Sequence, residues 1–274
     1  MSDNVLVLSA GRRVSLVKAF QQAMQELNLT ASVIAADIDP AKAAACHIAD
    51  RSIKLPSCLA KEYIDVLLER CLKYEIALVV PTIDTELKVL AENKKAFLEH
   101  GVTLVVSGYE FVKKCRDKRL TNQLFANIGF ATPICYSLDN IKFPCFSKPI
   151  SGSMSQDIRI LENKDELDNW NIDKTRMMFM EVISQDIFDE YTIDIYFNQS
   201  SEVKCIVPRQ RVEVRGGEVS KALTNKALVS LIRPVVEKIT GAFGCLTLQV
   251  FKHKTTDRIY GIEINVEVRR RGDS

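Results

Sequence analysis

An α/β domain built on a parallel sheet, followed by α+β subdomains, is the fold class predicted by this sequence of 274 residues. Two observations predict it. From Asn4 to Val106 short apolar runs alternate with amphipathic stretches, as strands of a parallel sheet alternate with the helices that cover it. Later in the chain apolar residues recur with period two, the mark of strands that bury one face. The length exceeds what one compact core needs, and a hydrophobic content of 47% supports two or three subdomains.

The elements follow in order. NVLVLS is a strand, residues 13–28 a helix, ASVIAAD a strand, residues 60–74 a helix, IALVVP a strand, residues 85–99 a helix and VTLVVS a strand. A parallel sheet binds ligands at the carboxyl ends of its strands, which places Ser9-Ala10-Gly11-Arg12, Asp37 and Pro81-Thr82-Ile83-Asp84 there; each also reads as a turn or helix-cap residue. The turn SAGRRVS has one glycine where a dinucleotide fingerprint needs three, which argues against a nicotinamide enzyme. A boundary is expected near residue 110. A charged amphipathic helix then runs from Lys113 to Gly129, stopped by Pro133.

FPCFSKPISGSMSQDIRIL reads strand, small-residue loop, strand, with Lys148 closing the first strand and Gly152, Ser153 and Ser155 in the turn. That layout can fold over phosphate groups, using backbone N–H donors and an ammonium, although a lysine before proline is also a common solvated strand end. A helix near 163–170, the strand RMMFMEVI, a connector and the strand DEYTIDIYF come next. EVKCIVPRQRVEV and RGGEVSKA continue an antiparallel sheet, residues 224–241 form a helix ending at Gly241, and GCLTLQVFKH pairs with DRIYGIEINVEV around Lys254 to Asp257.

Composition narrows the function by exclusion. The 37 basic and 35 acidic residues are interspersed, without the stripe or tail of a nucleic-acid binder. Eight cysteines without a C-x-x-C pair and three scattered histidines suggest neither zinc nor a disulfide framework. No charged leader precedes the first apolar run and no stretch approaches the ~20 apolar residues of a membrane span, so a cytoplasmic protein is expected.

The chemistry concentrates in the last hairpin. Period two puts Glu263 and Asn265 on one face, and pairing can bring Gln249 beside them. A carboxylate and two amide oxygens are hard donors suited to magnesium, which takes the rest of its shell from phosphate and water.

The order PTIDTEL, DKRLTNQLFANIGFATP, SKPISGSMSQ, EVISQDIFDEYTID, and LQVF followed by EIN resembles the ATP-grasp superfamily. Within it the chain resembles specifically the branch similar to the ATP-binding halves of the carbamoyl-phosphate synthase large subunit. The resemblance implies a pre-ATP-grasp domain over residues 1–110, a central lid subdomain over 111–185 and a C-terminal subdomain over 186–274. It implies ATP and Mg2+ as cofactors and small-molecule carboxylate and amine (or thiol) substrates, with the carboxylate activated as an acyl phosphate. Lys118 and Lys148 match positions that contact ATP phosphates, with Ser153 in the phosphate flap. Glu181, Val182 and Ile183 match the connector whose backbone meets adenine, Glu190 the position near the ribose hydroxyls, and Gln249, Glu263 and Asn265 the metal-proximal positions. Lys148 is also expected to serve catalysis, as is Arg211, which with Arg209 is placed toward the γ-phosphate or a carboxylate.

The chain departs from the pattern at its end. Family members follow the Glu-x-Asn with Pro-Arg and a glycine-rich loop, whereas Val266, Glu267 and Val268 stand here. One codon choice for Glu267 to Gly272, read one base later, gives Arg-Phe-Gly-Gly-Gly, so the tail VEVRRRGDS is expected to be an altered form of that loop. If the frame shifted there, the further helices that follow this loop in the family would be absent, and a homodimer or an exposed apolar patch would be expected. The alternative function is therefore a nucleotide-binding but catalytically incomplete protein or subunit.

Overall fold

The computed structural model describes residues 3–150, 157–215 and 218–266. The described residues divide into two compact units, one within 3–112 with 241–245 and 266, the other within 113–240 with 246–265.

The first unit carries a five-stranded sheet in the order β3-β2-β1-β4-β5. Its strands are β1 (Asn4–Val7), β2 (Val33–Asp37), β3 (Arg51–Lys54), β4 (Ile76–Val80) and β5 (Thr103–Leu104), every pair parallel. The helices are α1 (Val14–Glu26), α2 (Ala44–Ile48), α3 (Tyr63–Lys73) and α4 (Asp84–Glu99). Burial explains the near-continuous apolar runs: Val5, Leu6, Val7 and Leu8, like Val33 to Ala36, are covered on both faces. Three elements differ from the sequence reading. β3 is too short and too polar, and α2 too short, to show a period, and VTLVVS yields only a two-residue strand because, after the Val105 N–H has donated to the Val79 carbonyl at 2.8 Å, the Val106 N–H turns back to the Leu104 carbonyl at 2.9 Å.

At the carboxyl ends of β1 and β4, Gly11 (φ +45°) lets the chain turn so that its N–H donates to the Asp37 carboxylate at 2.9 Å. Beside this turn Glu86, only 2% exposed, accepts hydrogen bonds from Ser9 Oγ at 2.5 Å and Tyr63 OH at 3.2 Å. Burial raises its pKa from 4.5 to about 7, against the lowering effect of those bonds. A carboxyl whose folded pKa is raised contributes stability that is present below pH 4.5 and lost as pH rises through about 7. Glu86→Gln keeps an acceptor for both hydroxyls and carries no charge. In urea unfolding the wild type should therefore lose about 2–4 kcal/mol relative to this variant between pH 4.5 and pH 8. Parallel pH profiles for the two proteins would contradict it.

Helix α5 (Tyr109–Arg116) leads to the second unit, where α6 spans Lys118–Ile128. The single helix expected over 113–129 is thus two. Asp117 breaks it: its backbone is extended (φ −103°, ψ 113°) and its side-chain Oδ1 caps α6 by accepting from the Arg119 N–H at 2.9 Å. Gly129 ends α6 at φ +109°.

A four-stranded antiparallel sheet, β6-β9-β7-β8, follows from β6 (Cys135–Tyr136), β7 (Cys145–Pro149), β8 (Arg159–Leu161) and β9 (Met177–Glu181). It packs with α7 (Lys164–Asn169) around Cys145, Leu161, Leu167, Trp170 and Phe179. A five-stranded antiparallel sheet runs β12-β11-β10-β13-β14. Its strands are β10 (Phe188–Phe197), β11 (Val203–Arg215), β12 (Glu218–Thr224), β13 (Gly244–His253) and β14 (Ile259–Asn265). Between β12 and β13 the expected helix over 224–241 is only α8 (Val229–Val236), preceded by a 3-10 turn and carrying in its last turn Pro234, which has no N–H to donate and so removes one helical hydrogen bond.

Strand β10 shows what the second sheet is for. Tyr191, Ile193, Ile195 and Phe197 are buried on one face, while Glu190, Thr192 and Asp194 alternate onto the other.

Candidate functional site

The site lies within the second unit, on that polar face. Register sets it: Gln249 pairs with Glu263 and Thr247 with Asn265, so the last two strands present their oxygen-bearing side chains as opposed pairs. From the neighbouring strand Glu190 accepts a hydrogen bond from Gln249 Nε2 and an ion-paired one from Arg211 Nη1 at 2.5 Å. One rung therefore crosses four strands, Arg211–Glu190–Gln249–Glu263. A second runs beside it: Arg209 is ion-paired to Asp194, whose other oxygen accepts from Thr247 Oγ1 at 3.0 Å, opposite Asn265. The amide Nδ2 of Asn265 is buried without a hydrogen-bond partner among the described residues.

Two lysines approach from the other elements. Lys118 opens α6 and Lys148 lies in β7; with Asn122, Pro133, Met178, Met180, Gly261 and Ile262 they line a pocket. Lys148 is 6% exposed and its Nζ donates to the Ile262 carbonyl at 3.3 Å. Burial pushes its pKa down from 10.5 to about 8; Glu263 opposes that fall and Lys118 adds to it. Lys118 is lowered too, by burial first, again with Glu263 opposing. A cation held this far from water is poised for an anion. The thioethers of Met178 and Met180 give the same pocket an adaptable apolar wall.

Among the described residues no cluster of three His, Cys, Asp or Glu side chains could hold a metal. One carboxylate, Glu263, with the amides of Gln249 and Asn265 makes too weak a cage for a free divalent ion. It does suit magnesium that arrives chelated by phosphates, because that ion needs only one or two protein groups.

The remaining expected residues fall as follows. Glu181 ends β9, where its Oε1 accepts the Ile134 N–H at 3.0 Å; Val182 and Ile183 follow in a half-buried connector. Ser153, Gly152, Ser155 and the pair Gly216-Gly217 lie outside the described residues, as does the tail from Glu267 onward. Asn122, Asp194 and Thr247 were not singled out from the sequence. The period-two spacing of Glu190 and Asp194 was the available signal for one of them; Thr247 and Asn122 needed the fold.

No helix is long and apolar enough to cross a membrane among the described residues. No curated protein sequence matches the chain. Solved structures similar to it include Rhizobium etli pyruvate carboxylase, with a TM-score of 0.71 and 15% identity, covering 98% of this chain and 26% of that one. The biotin carboxylase domain dimer of Hydrogenobacter thermophilus 2-oxoglutarate carboxylase, in complex with MgADP, ADP and bicarbonate, gives 0.72 and 17%, covering 98% and 65%. The L-amino acid ligase of Bacillus licheniformis gives 0.68 and 16%, covering 97% and 67%. The chain thus spans about a quarter of the first and about two thirds of the other two, and at these identities the likeness establishes the fold. Residues 5–105 match the family described as PylC-like, N-terminal domain. Residues 115–269, more than half of the chain, match the ATP-grasp domain, and the chain belongs to the ATP-grasp family.

Proposed function

We propose that the chain is an ATP- and magnesium-dependent ligase, one that joins a carboxylate to an amine or thiol through an acyl phosphate. The observation that carries this is that Lys118 and Lys148 line one pocket and both interact with Glu263, which Gln249 opposes across the hairpin. Triphosphate oxygens would meet the two ammonium groups, with Ser153 in the covering flap and Lys148 holding the transferred group. Glu263, Gln249 and Asn265 would hold magnesium, which when bound neutralises charge on the phosphates. The backbone of Glu181, Val182 and Ile183 would read the adenine edge and Glu190 would lie near the ribose. Arg211, fixed by Glu190, would stabilise charge on the transferred phosphoryl group. Positioning and electrostatics can carry such a transfer without a protein nucleophile.

In this reading residues 1–110 form the pre-ATP-grasp domain, 111–185 the lid and 186–274 the C-terminal subdomain, and the branch similar to the carbamoyl-phosphate synthase large subunit follows from the motif order. A homodimer belongs to the same reading, since one similar structure is a dimer, and light scattering tests it. Because another similar protein is an L-amino acid ligase, amino acids are the first substrates to offer. Phosphate release from MgATP should rise in the presence of some member of an amino-acid panel. Glu263→Gln, which keeps shape and removes charge, should abolish that rise and lower magnesium-dependent nucleotide affinity while the circular dichroism spectrum stays unchanged. MgATP binding with no phosphate release from any carboxylate would replace this reading with a catalytically incomplete nucleotide-binding protein.

A further inference from the structure

The first unit holds a polar cluster that the ligase reading leaves unused. In its sheet, ordered β3-β2-β1-β4-β5, the chain passes from β1 to β2 on one side while β4 lies on the other. Open parallel sheets take their ligands in the crevice outside the carboxyl ends of such a pair of strands. Ser9 stands just past the end of β1, and Thr82 and Glu86 follow the end of β4.

Two features of this crevice work against the fold. Ser9, half-buried, holds φ at +44°, a left-handed conformation uncommon outside glycine and often found where strain serves function. Glu86, 2% exposed, accepts from Ser9 and Tyr63 through Oε1 alone. Its Oε2 is buried without a hydrogen-bond partner, the one carboxylate oxygen so placed among the described residues. A buried acceptor with no donor destabilises a protein, so folding gives no reason to keep it. The strand ends around it are nonetheless fixed: the Thr82 hydroxyl lies 3.0 Å from the Leu8 carbonyl and 2.9 Å from the Ser9 carbonyl.

The balance of donors and acceptors selects the ligand. The Ser9 hydroxyl gives its hydrogen to Glu86, which leaves the oxygen as an acceptor, and an ionised carboxylate is an acceptor only. The groups around Glu86 supply little positive charge. Tyr63 comes from α3, its own pKa pushed up by burial first and by Glu86 next, with Cys58 and Cys71 nearby. Asp37 from the end of β2 adds negative charge, and Arg13 from the start of α1 donates through Nη2 to the Thr82 carbonyl at 2.8 Å. Two acceptors beside acidic groups suit a cation that carries several N–H donors.

We propose that the carboxyl ends of β1 and β4 form a second small-molecule site, one that takes a primary ammonium group with Ser9 Oγ and Glu86 Oε2 as its acceptors. Tyr63 anchors the carboxylate through Oε1. Access is at Ser9, the more exposed of the two acceptor residues. The site lies wholly within the first unit and does not depend on the ligase reading. No covalent bond forms or breaks there; where Glu86 is protonated, its proton passes to solvent as the cation binds.

The test reads the Glu86 carboxyl directly. In the full chain labelled with 13C at glutamate Cδ, its resonance is identified by its loss in Glu86→Gln. The titration of that resonance is then followed in methylammonium, tetramethylammonium or sodium chloride at one ionic strength. A bound cation favours the charged carboxylate, so methylammonium should move the midpoint from about 7 to lower pH along a saturable curve. Tetramethylammonium has the same charge and no N–H, and it should act no more than sodium does. Ser9→Gly suits the positive φ and removes one acceptor; it should raise the half-saturating methylammonium concentration at least about fivefold with the circular dichroism spectrum unchanged. Equal shifts from methylammonium and tetramethylammonium would reduce the effect to screening and overturn the proposal. A midpoint that methylammonium leaves in place would make Glu86 a structural acid and overturn it as well. An undiminished response in Ser9→Gly would take Ser9 out of the site, and the proposal with it.

Discussion

Gly261→Ala is expected to destabilise the second unit by about 2–3 kcal/mol, read as a shift in the urea midpoint. Gly261 lies in β14, where its N–H donates to the Ala131 carbonyl at 2.9 Å. A Cβ added there would fall into the ring of Phe125, meeting its Cγ, Cδ1 and Cδ2. Phe125 is fully buried on α6 and packs edge-on against Phe130, with ring centroids 5.6 Å apart, so a rigid ring has nowhere to swing. The methyl must therefore push α6 off β14, and α6 carries Lys118 and Asn122 into the pocket. Nucleotide affinity should fall along with stability. A double-mutant cycle with Phe125→Leu checks the cause: the second substitution should cost less in the Gly261→Ala background than in the wild type. Additive effects would show that the ring is not what the methyl meets.

Lys148→Met is expected to weaken MgATP binding by about 1.5–3 kcal/mol, roughly 10- to 150-fold, the typical worth of a charge-assisted hydrogen bond. The direction of the stability change separates this from damage to the fold. Lys148 is a buried cation whose pKa burial lowers from 10.5 to about 8, so the thioether stem of methionine should raise the thermal midpoint, not lower it. The same shift predicts a pH dependence. An ordinary lysine stays protonated until its pKa of 10.5, but Lys148 loses its charge near pH 8, so wild-type affinity should fall as pH rises from 7 to 9. Phosphate charge favours the ammonium form, so binding at pH 8 should take up protons, visible by calorimetry in buffers of different ionisation enthalpy. Lys148→Met should lose this dependence on pH. A fall of equal steepness in that variant would assign the titration to another group, and unchanged affinity would end the phosphate role.

Local patterns were legible wherever they reflect burial. The doubly covered strands β1, β2 and β4 read as apolar runs, α1, α3 and α4 as amphipathic stretches, and the final hairpin as two strands, β13 with the expected bounds and β14 beginning two residues later than DRIYGIEINVEV. Glu263 and Asn265 shared a face for the same reason, because alternation along a strand is fixed by the pleat. Reading failed where a local conflict overrode periodicity. The pattern of residues 113–129 continues across Asp117, yet the side chain of that residue competes for the backbone and divides the helix. Pro234 likewise stands in a stretch whose apolar spacing promised a longer helix.

By itself, then, the sequence determined the order of elements, the faces of its strands and the residue types gathered at the end of the chain, since each depends on neighbours a few positions away. Tertiary structure decided which strands lie side by side. Only the order β11-β10-β13-β14 turns Arg209, Asp194 and Thr247 into one rung and Arg211, Glu190 and Gln249 into another, from strands as far apart in the chain as residues 190 and 249. Only that packing takes Lys148 out of water and lowers its pKa. Registers, shared carboxylates and desolvation are properties of groups brought together across the chain, and no local window of sequence contains them.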